Sequence, residues 1–313
     1  MRAPVSTPDA PSPTRARLQL LGAALLFSTG GAAVKATSLT GWQVASFRSG
    51  VAALTLLLLL PGARRLASRR VWLVGIGYAA TMILYVVANK LTTAANTIFL
   101  QSTAPLYLLL LGPLLLHEPV RRKDVGLMGL VAVGMACFFV GRPPATDIAT
   151  DPFTGNLLAT GSGVSWAFTL VGLRWLQREG AGAGSGAASV VAGNTLAFLG
   201  CLPLALAAPL GTSGPSDWAW ILFLGAIQIG VAYWLLTDGI RHVPALEASL
   251  LLLLEPVLNP VFAWLVHGEA PGSWSIAGGA VILSATLLRA VRRAPREGVL
   301  PSGRPPAHPP DPP

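Results

Sequence analysis

Long apolar stretches, separated by short polar connections, run through almost the whole chain. Each stretch holds roughly the 17 to 25 mostly apolar residues that a helix needs to cross a bilayer core. Backbone groups in lipid must bond within their own segment, so each stretch is predicted to be an α-helix. The pattern predicts an all-α integral membrane protein with ten transmembrane helices, over residues 18–36, 43–61, 71–89, 95–116, 124–141, 156–176, 188–208, 218–236, 245–266 and 273–290.

Two regions of the chain repeat the same polar punctuation. Thirteen residues separate Pro105 from Glu118, and thirteen separate Pro256 from Glu269. An apolar repeat of this length is typical of duplicated transporters. We therefore predict two five-helix repeats, over residues 18–141 and 156–291, joined by a linker at 142–155. Pro105, Glu118, Pro256 and Glu269 are interpreted as structural markers of the repeat, and the two glutamates as caps of helix ends.

The composition agrees with a membrane protein. Hydrophobic residues make up 53% of the 313 residues and charged residues only 11%, too little polar surface for a soluble globule of this size. The net charge of +9 does not indicate nucleic acid, because the basic residues fall in short clusters between apolar runs. The predicted partners are the lipid bilayer and a small-molecule substrate.

The basic clusters predict an orientation in the cytoplasmic membrane. With a cytoplasmic N-terminus, all of the 22 Lys and Arg residues fall on the cytoplasmic side except Lys35, Arg48, Lys90 and Arg142. This satisfies the positive-inside rule and places both termini in the cytoplasm. The connection at 64–70 carries four arginines, whereas its counterpart at 211–217 carries none. Equivalent connections of opposite charge bias predict inverted repeats, whose substrate sites lie near the bilayer midplane.

Both ends of the chain are predicted to be disordered cytoplasmic tails. Residues 1–17 are rich in Pro, Ser and Thr and lack the residue order of a signal peptide. Residues 292–313 contain too many prolines to form a helix or a core. Cys137 and Cys201 both lie inside apolar runs and are interpreted as packing residues, so no metal is expected.

The repeat motifs resemble those of a known family. Leu254-Glu-Pro-Val-Leu-Asn-Pro260 followed by Val266-His-Gly-Glu269 is similar to the EamA-type transporters of the drug/metabolite transporter superfamily. Thr103-Ala-Pro-Leu106 and Leu116-His-Glu-Pro119 supply the first-half counterpart. The resemblance covers residues 18–291. It implies a secondary transporter, expected to be an exporter, of small polar metabolites such as amino acids or their derivatives. Alternating access would be driven by ion or proton coupling or by exchange, without ATP.

The resemblance extends to two basic positions. The family favours a Trp-Gly pair in the first helix, a Lys eight residues after that Trp and an Arg early in the second helix. Lys35 and Arg48 match these basic positions, whereas Phe27-Ser28 replaces the Trp-Gly pair. Either cation could attract a carboxylate or phosphate into an outer vestibule. Snorkelling to the interface explains Lys35 equally well and Arg48 less well.

Glu255 is the strongest single candidate for a substrate-binding residue. It falls near the centre of the ninth predicted helix, where an acidic side chain costs on the order of 2.5–3.5 kcal/mol, so it is expected to face the interior. One reading is a partner for a substrate amine or a proton carrier. The other is a hydrogen bond that holds the bend made by Pro256 and Pro260.

Further candidates are polar or aromatic residues within the predicted helices. Asn96 and Glu247 are equivalent by the repeat offset of 151 residues. Polar side chains at matched places can line a pathway, although hydrogen bonds between helices would give the same pattern. The aromatic candidates could stack on a substrate. The remaining members of this set are Asn89, Gln101, Tyr85 and Trp166.

The sequence does not indicate an enzyme, and no catalytic residue or cofactor is expected. All four histidines fall at helix ends or in a tail, and no phosphate-binding glycine motif is present. A channel or facilitator remains the main alternative to a carrier, ahead of an integral membrane enzyme. Paired glycines near the fifth and tenth helices could bring neighbouring helices together or equally support a homodimer: Gly126, Gly129, Gly278 and Gly279.

Overall fold

The computed structural model describes residues 13–116, 122–140, 146–182, 184–210 and 213–293. Every regular element in these ranges is helical, which confirms the all-α prediction. Most of the two predicted tails, part of the predicted linker and Glu118 lie outside the described residues.

The first half of the chain forms seven of the described α-helices. They are α1 (Pro13–Ser28), α2 (Gly30–Lys35), α3 (Gly41–Leu59), α4 (Arg69–Leu91), α5 (Ala94–Gln101), α6 (Ala104–Leu116) and α7 (Arg122–Val140). A short 3-10 turn, Pro61–Arg64, lies between α3 and α4.

The second half forms the other described helices. They are α8 (Pro152–Arg178), α9 (Ser185–Ala207), α10 (Pro215–Leu222), α11 (Ala232–Gly239), α12 (Ala245–Leu252), α13 (Leu254–His267) and α14 (Ser273–Arg293). A π-helical segment, Phe223–Val231, joins α10 to α11 without a break.

Seven helical spans in the described ranges are long and apolar enough to cross a membrane. They are Thr14–Lys35, Gly41–Leu59, Arg69–Leu91, Ala94–Leu115, Ser185–Ala207, Pro215–Gly239 and Leu250–His267. Helices α7 and α14 add shorter apolar stretches, Val125–Val140 and Ser273–Leu288. The chain is therefore an α-helical membrane protein. Ten spans would also require α7, α8 and α14 to cross, and that number stays a prediction.

The first helix begins earlier than the hydropathy pattern indicates. The predicted span starts at residue 18, whereas α1 starts at Pro13. Proline suits the first turn of a helix because its missing N–H has no partner there in any case. Ala16 and Leu20 are fully buried in one apolar cluster with Val243 and Ala248. Packing against the second half therefore extends the helix beyond the apolar run.

Two long helices break at equivalent places in the two halves, and proline explains both breaks. Helix α5 ends at Gln101, four residues before Pro105, and α12 ends at Leu252, four residues before Pro256. A proline has no N–H for the carbonyl four residues earlier, and its ring clashes with that carbonyl. The continuous spans predicted at 95–116 and 245–266 are therefore each two helices.

Helices from the two halves pack closely against one another. Helix α4 packs against α8 and α9, and α3 packs against α9 as well. The α4–α9 contact depends on Gly193, where an added Cβ would lie 2.7 Å from Tyr78 Cδ1 and 2.8 Å from the Gly75 carbonyl oxygen. Any larger residue would push the helices apart. The halves are therefore interleaved, and side chains from both reach the middle of the bundle.

A second close contact joins α7 of the first half to α14 of the second. An added Cβ at Gly278 would lie 2.6 Å from the Gly134 carbonyl oxygen. Small residues of this kind allow helix backbones to approach in a membrane. A Cβ at Gly126 or Gly129 would meet nothing within 4 Å, so these two glycines do not support this contact.

Candidate functional site

A cavity of about 480 Å³ lies between the two halves of the bundle. Its volume falls within the roughly 300–1,000 Å³ typical of small-molecule sites. Both halves contribute side chains, most of them aromatic or aliphatic and a few polar or charged. The lining residues are Phe27, Arg48, Tyr78, Met82, Tyr85, Gln101, Trp166, Leu170, Leu173, Val190, Gln228, Ile229, Tyr233, Leu236, Ile240, Leu252 and Glu255.

The helix breaks lie at this cavity. Gln101 and Leu252, the last residues of α5 and α12, both line it, and so does Glu255 in the first turn of α13. From the breaks, the cavity extends toward the end of the bundle where α8 and α11 end. Leu173 and Ile240 line that part, and each directly precedes an arginine in the sequence. Broken helices that point their ends into a central cavity are a recurrent feature of transporters.

Arg48 brings a buried positive charge to the cavity wall. It is the eighth residue of α3, about 10 Å from the start of the helix at 1.5 Å per residue. Only 2% of its surface is exposed. Its Nη2 lies 3.4 Å from Met82 Sδ, and its Nε has no hydrogen-bond partner among the described residues. No carboxylate of the described chain forms an ion pair with it.

Glu255 brings a negative charge to the same wall from the other half. It is the second residue of α13, where the positive end of the helix dipole favours a carboxylate. Within the described chain, no hydrogen bond or ion pair involves its carboxylate. The side chain therefore faces the cavity with its acceptors unused.

Aromatic rings form the middle of the cavity. The Tyr78 ring lies edge-on to two others, with centroid distances of 6.1 Å to Tyr233 and 6.4 Å to Trp166. Tyr233 in turn packs against Phe27 at 5.2 Å. Edge-on rings at these distances attract one another and hold their orientations. Among the sequence candidates, Trp166 and Tyr85 line the cavity, whereas the importance of Tyr78, Tyr233 and Phe27 emerges only from the fold.

Amide side chains complete the lining. Gln101 Nε2 donates to Ser162 Oγ at 3.0 Å, and Tyr85 Oη accepts from Asn259 Nδ2 at 3.2 Å beside the cavity. Gln228, which the sequence analysis misses, lies in the π-helical segment and donates through Nε2 to the Phe27 carbonyl oxygen at 3.4 Å. Local π-helical geometry is frequent at functional sites, but no residue pattern announces it in the sequence.

Lys35 and Glu269 lie outside the cavity, in a buried cluster near the opposite end of the bundle. Lys35 Nζ lies 3.2 Å from Glu269 Oε2 and donates to the carbonyl oxygens of Thr92 at 2.8 Å and Ile148 at 2.7 Å. Glu269 Oε1 accepts from the backbone N–H of Ala94 at 2.5 Å. Glu269 thus binds the first N–H of α5 as well as the Lys35 ammonium.

Asn96 also lies away from the cavity, in a buried hydrogen-bond network. Its Nδ2 donates to Asn156 Oδ1 at 3.1 Å and to Thr92 Oγ1 at 3.3 Å. Its Oδ1 accepts from Ser275 Oγ at 2.6 Å, and Asn156 donates in turn to the Phe138 carbonyl oxygen. The network therefore joins α5 to α7, α8 and α14.

The last two sequence candidates are also outside the cavity lining. Glu247 forms an ion pair with Arg17 at 2.5 Å, with both side chains partly exposed to solvent. Asn89 is completely buried in α4, and its side-chain oxygen and nitrogen have no hydrogen-bond partner among the described residues. Asn96 and Glu247 occupy equivalent sequence positions in entirely different surroundings.

Comparison with known proteins identifies the family. The sequence profile of the EamA-like transporter family matches the chain twice, over residues 14–140 and 153–290. The chain belongs to the EamA-like transporter family. This confirms the resemblance inferred from the motifs around Pro105 and Pro256. A solved crystal structure with 22% sequence identity has the same fold, with a TM-score of 0.58 over 89% of this chain and 98% of that one.

Individual EamA relatives are distant. An uncharacterized transporter of Synechocystis is 23% identical over 207 residues, which cover 64% of this chain and 59% of that protein. An uncharacterized transporter of Archaeoglobus fulgidus is 26% identical over 208 residues, covering 66% of this chain and 71% of that protein. The threonine/homoserine exporter RhtA of Escherichia coli is 26% identical over 165 residues, covering 50% and 52%.

Proposed function

We propose that this EamA-family protein is a secondary transporter that exports amino acids or their derivatives across the cytoplasmic membrane by alternating access. The observation that carries the proposal is a single cavity lined by both halves, with Arg48 from the first and Glu255 from the second. Repeat-built transporters bind their substrates at the interface between repeats, near the bilayer midplane. The similarity to RhtA supports amino acids as the substrate class.

The proposed substrate site consists of the sequence candidates that line the cavity: Arg48, Tyr85, Gln101, Trp166 and Glu255. Lys35, Asn89, Asn96 and Glu247 are assigned to holding the helices together. The wall carries charged, amide and aromatic groups within one volume, which is what binding a small polar molecule requires. On this proposal the protein moves its substrate unchanged and catalyses no reaction.

The transport test uses purified protein in sealed vesicles preloaded with unlabelled threonine, homoserine or leucine. A carrier exchanges internal for external substrate, so labelled amino acid should accumulate transiently against its gradient. A channel would only equilibrate the label. Repeating the assay with an imposed pH gradient tests proton coupling. Glu255→Gln should insert normally but lose exchange or its pH dependence, and unchanged exchange would give this residue a structural role only.

Alternating access also requires inverted repeats, which we propose as ten spans with α7, α8 and α14 included. The support is the opposite charge of equivalent connections, four arginines at 64–70 and none at 211–217. Single cysteines at the exposed positions Ala67 and Ser216, in a chain without Cys137 and Cys201, test the arrangement. An impermeant thiol reagent should label them from opposite faces of the membrane. Labelling from the same face would contradict the inverted arrangement.

A further inference from the structure

The cavity contains two charges of opposite sign that do not neutralise each other. Arg48 and Glu255 both line it, yet they form no ion pair with each other or with any other described residue. An isolated charge removed from water is strongly unfavourable unless a counter-charge or hydrogen-bonding groups compensate it. Elsewhere in the described chain such compensation is present, as in the buried pair of Lys35 and Glu269.

We infer that the cavity is selective for zwitterions with an apolar side chain, a conclusion that rests on the proposed transport function. The Glu255 carboxylate pairs with the ammonium group of the substrate, and the Arg48 guanidinium pairs with its carboxylate. One molecule then neutralises both buried charges, whereas a molecule with a single charge leaves the other uncompensated. Because Arg48 and Glu255 belong to different halves, the bound zwitterion links the halves directly.

The rest of the wall indicates what the zwitterion carries. Aromatic rings and aliphatic side chains surround the two charges, among them Tyr78, Trp166, Leu170, Ile229 and Leu236. Burial of an apolar substituent against such a surface is favourable in proportion to the apolar area removed from water. Leucine and phenylalanine fit this description better than threonine, the amino acid in the printed name of RhtA.

Binding is measured first, independently of transport, as the rise in melting temperature of the detergent-solubilised protein with each probe. The probes are L-leucine, L-phenylalanine, L-threonine, leucinamide, which lacks the carboxylate, and 4-methylpentanoate, which lacks the amine. Leucine and phenylalanine should bind at least about tenfold more tightly than the other three, since loss of one charged contact has about this effect. Equal binding of the single-charge analogues, or tighter binding of threonine, would overturn the inference.

Two variants test the roles of the charges. Glu255→Gln should abolish the preference for leucine over 4-methylpentanoate while keeping the preference over leucinamide. Arg48→Gln should show the reverse pattern, which a merely structural role would not produce. Glu179→Gln and Arg70→Gln are the matched controls, because these residues form an exposed ion pair outside the cavity, at 2.9 Å. If Arg48→Gln does not fold, the Glu255→Gln pattern alone decides, and unchanged selectivity in that variant rejects the inference.

Competition in the vesicle assay separates this inference from the proposed function. Exchange of threonine that leucine and phenylalanine do not inhibit would preserve the transporter and reject the selectivity. Selective leucine binding without exchange would preserve the selectivity of the cavity and reject the carrier.

Discussion

The ammonium group of Lys35 lies 3.2 Å from the carboxylate of Glu269, and the two side chains are only 6% and 3% exposed. Lys35 ends α2 in the first half, whereas Glu269 follows α13 in the second. Both also bind backbone groups near the start of α5. This pair therefore connects three segments at the end of the bundle away from the arginine-flanked part of the cavity.

Removal of one partner of this pair should strongly destabilise the protein. Breaking a buried pair typically costs about 3–5 kcal/mol, because the remaining charge stays buried without compensation. Lys35→Met and Glu269→Gln should each lower the melting temperature, and the double variant should lose less than the sum of the two. Thermal unfolding of all three proteins in one detergent measures this coupling. Additive losses would mean that the two charges stabilise the protein independently.

The same pair should also control access to the cavity from its end of the bundle. Met82→Cys, in a chain without Cys137 and Cys201, places a thiol in the cavity wall. In membrane vesicles of both orientations, an impermeant maleimide should label this thiol from the arginine-rich face only. Adding Glu269→Gln should permit labelling from the opposite face, whereas adding the control Glu179→Gln should not. Equal labelling from both faces before any further change would show that the pair is no barrier.

Replacement of the proline after each helix break should restore a continuous helix. Pro256→Ala and Pro105→Ala supply the N–H that the carbonyls of Leu252 and Gln101 lack, and proline is about 3 kcal/mol less favourable than alanine in a helix interior. We expect equal or higher melting temperatures but a severalfold loss of exchange, because the cavity wall changes. Pro113→Ala, in the unbroken part of α6, is the control and should retain exchange.

Asn96 and Gln101 should behave differently although both lie on α5. Asn96→Ala removes hydrogen bonds to Asn156, Thr92 and Ser275 and leaves buried partners unsatisfied, which costs roughly 1–3 kcal/mol for each such group. It should therefore lower the melting temperature and leave the KM of exchange unchanged in the folded fraction. Gln101→Ala should instead change the KM with little effect on stability. Identical behaviour of the two variants would remove the distinction between network and cavity.

The repeat and the family could be predicted because their signals are local in the sequence. Proline and glutamate recur at fixed spacing around Pro105 and Pro256, and the apolar runs indicate helices directly. The breaks themselves were missed because hydropathy averages over a window and does not register one absent hydrogen bond. The physical rule needed to find them, a carbonyl four residues before each proline, was nevertheless present in the sequence.

The partners of the polar candidates could not be predicted, because they are set by contacts between distant segments. Lys35 meets Glu269 more than two hundred residues later in the chain, and Arg48 meets no counter-ion at all among the described residues. Both appeared in the sequence as basic residues near helix ends. Only the packing of α3, α4 and α13 distinguishes a residue that holds the bundle from one that faces the cavity.

The π-helical segment Phe223–Val231 has a consequence for how this protein can change over time. A single residue deleted from that stretch would turn α11 by about 100° around its axis, at 3.6 residues per turn. Tyr233 and Leu236 would then point away from the translocation route, even though neither had been substituted. Insertions and deletions here should therefore be more damaging than most point substitutions, since the phase of the helix sets which side chains a passing solute meets.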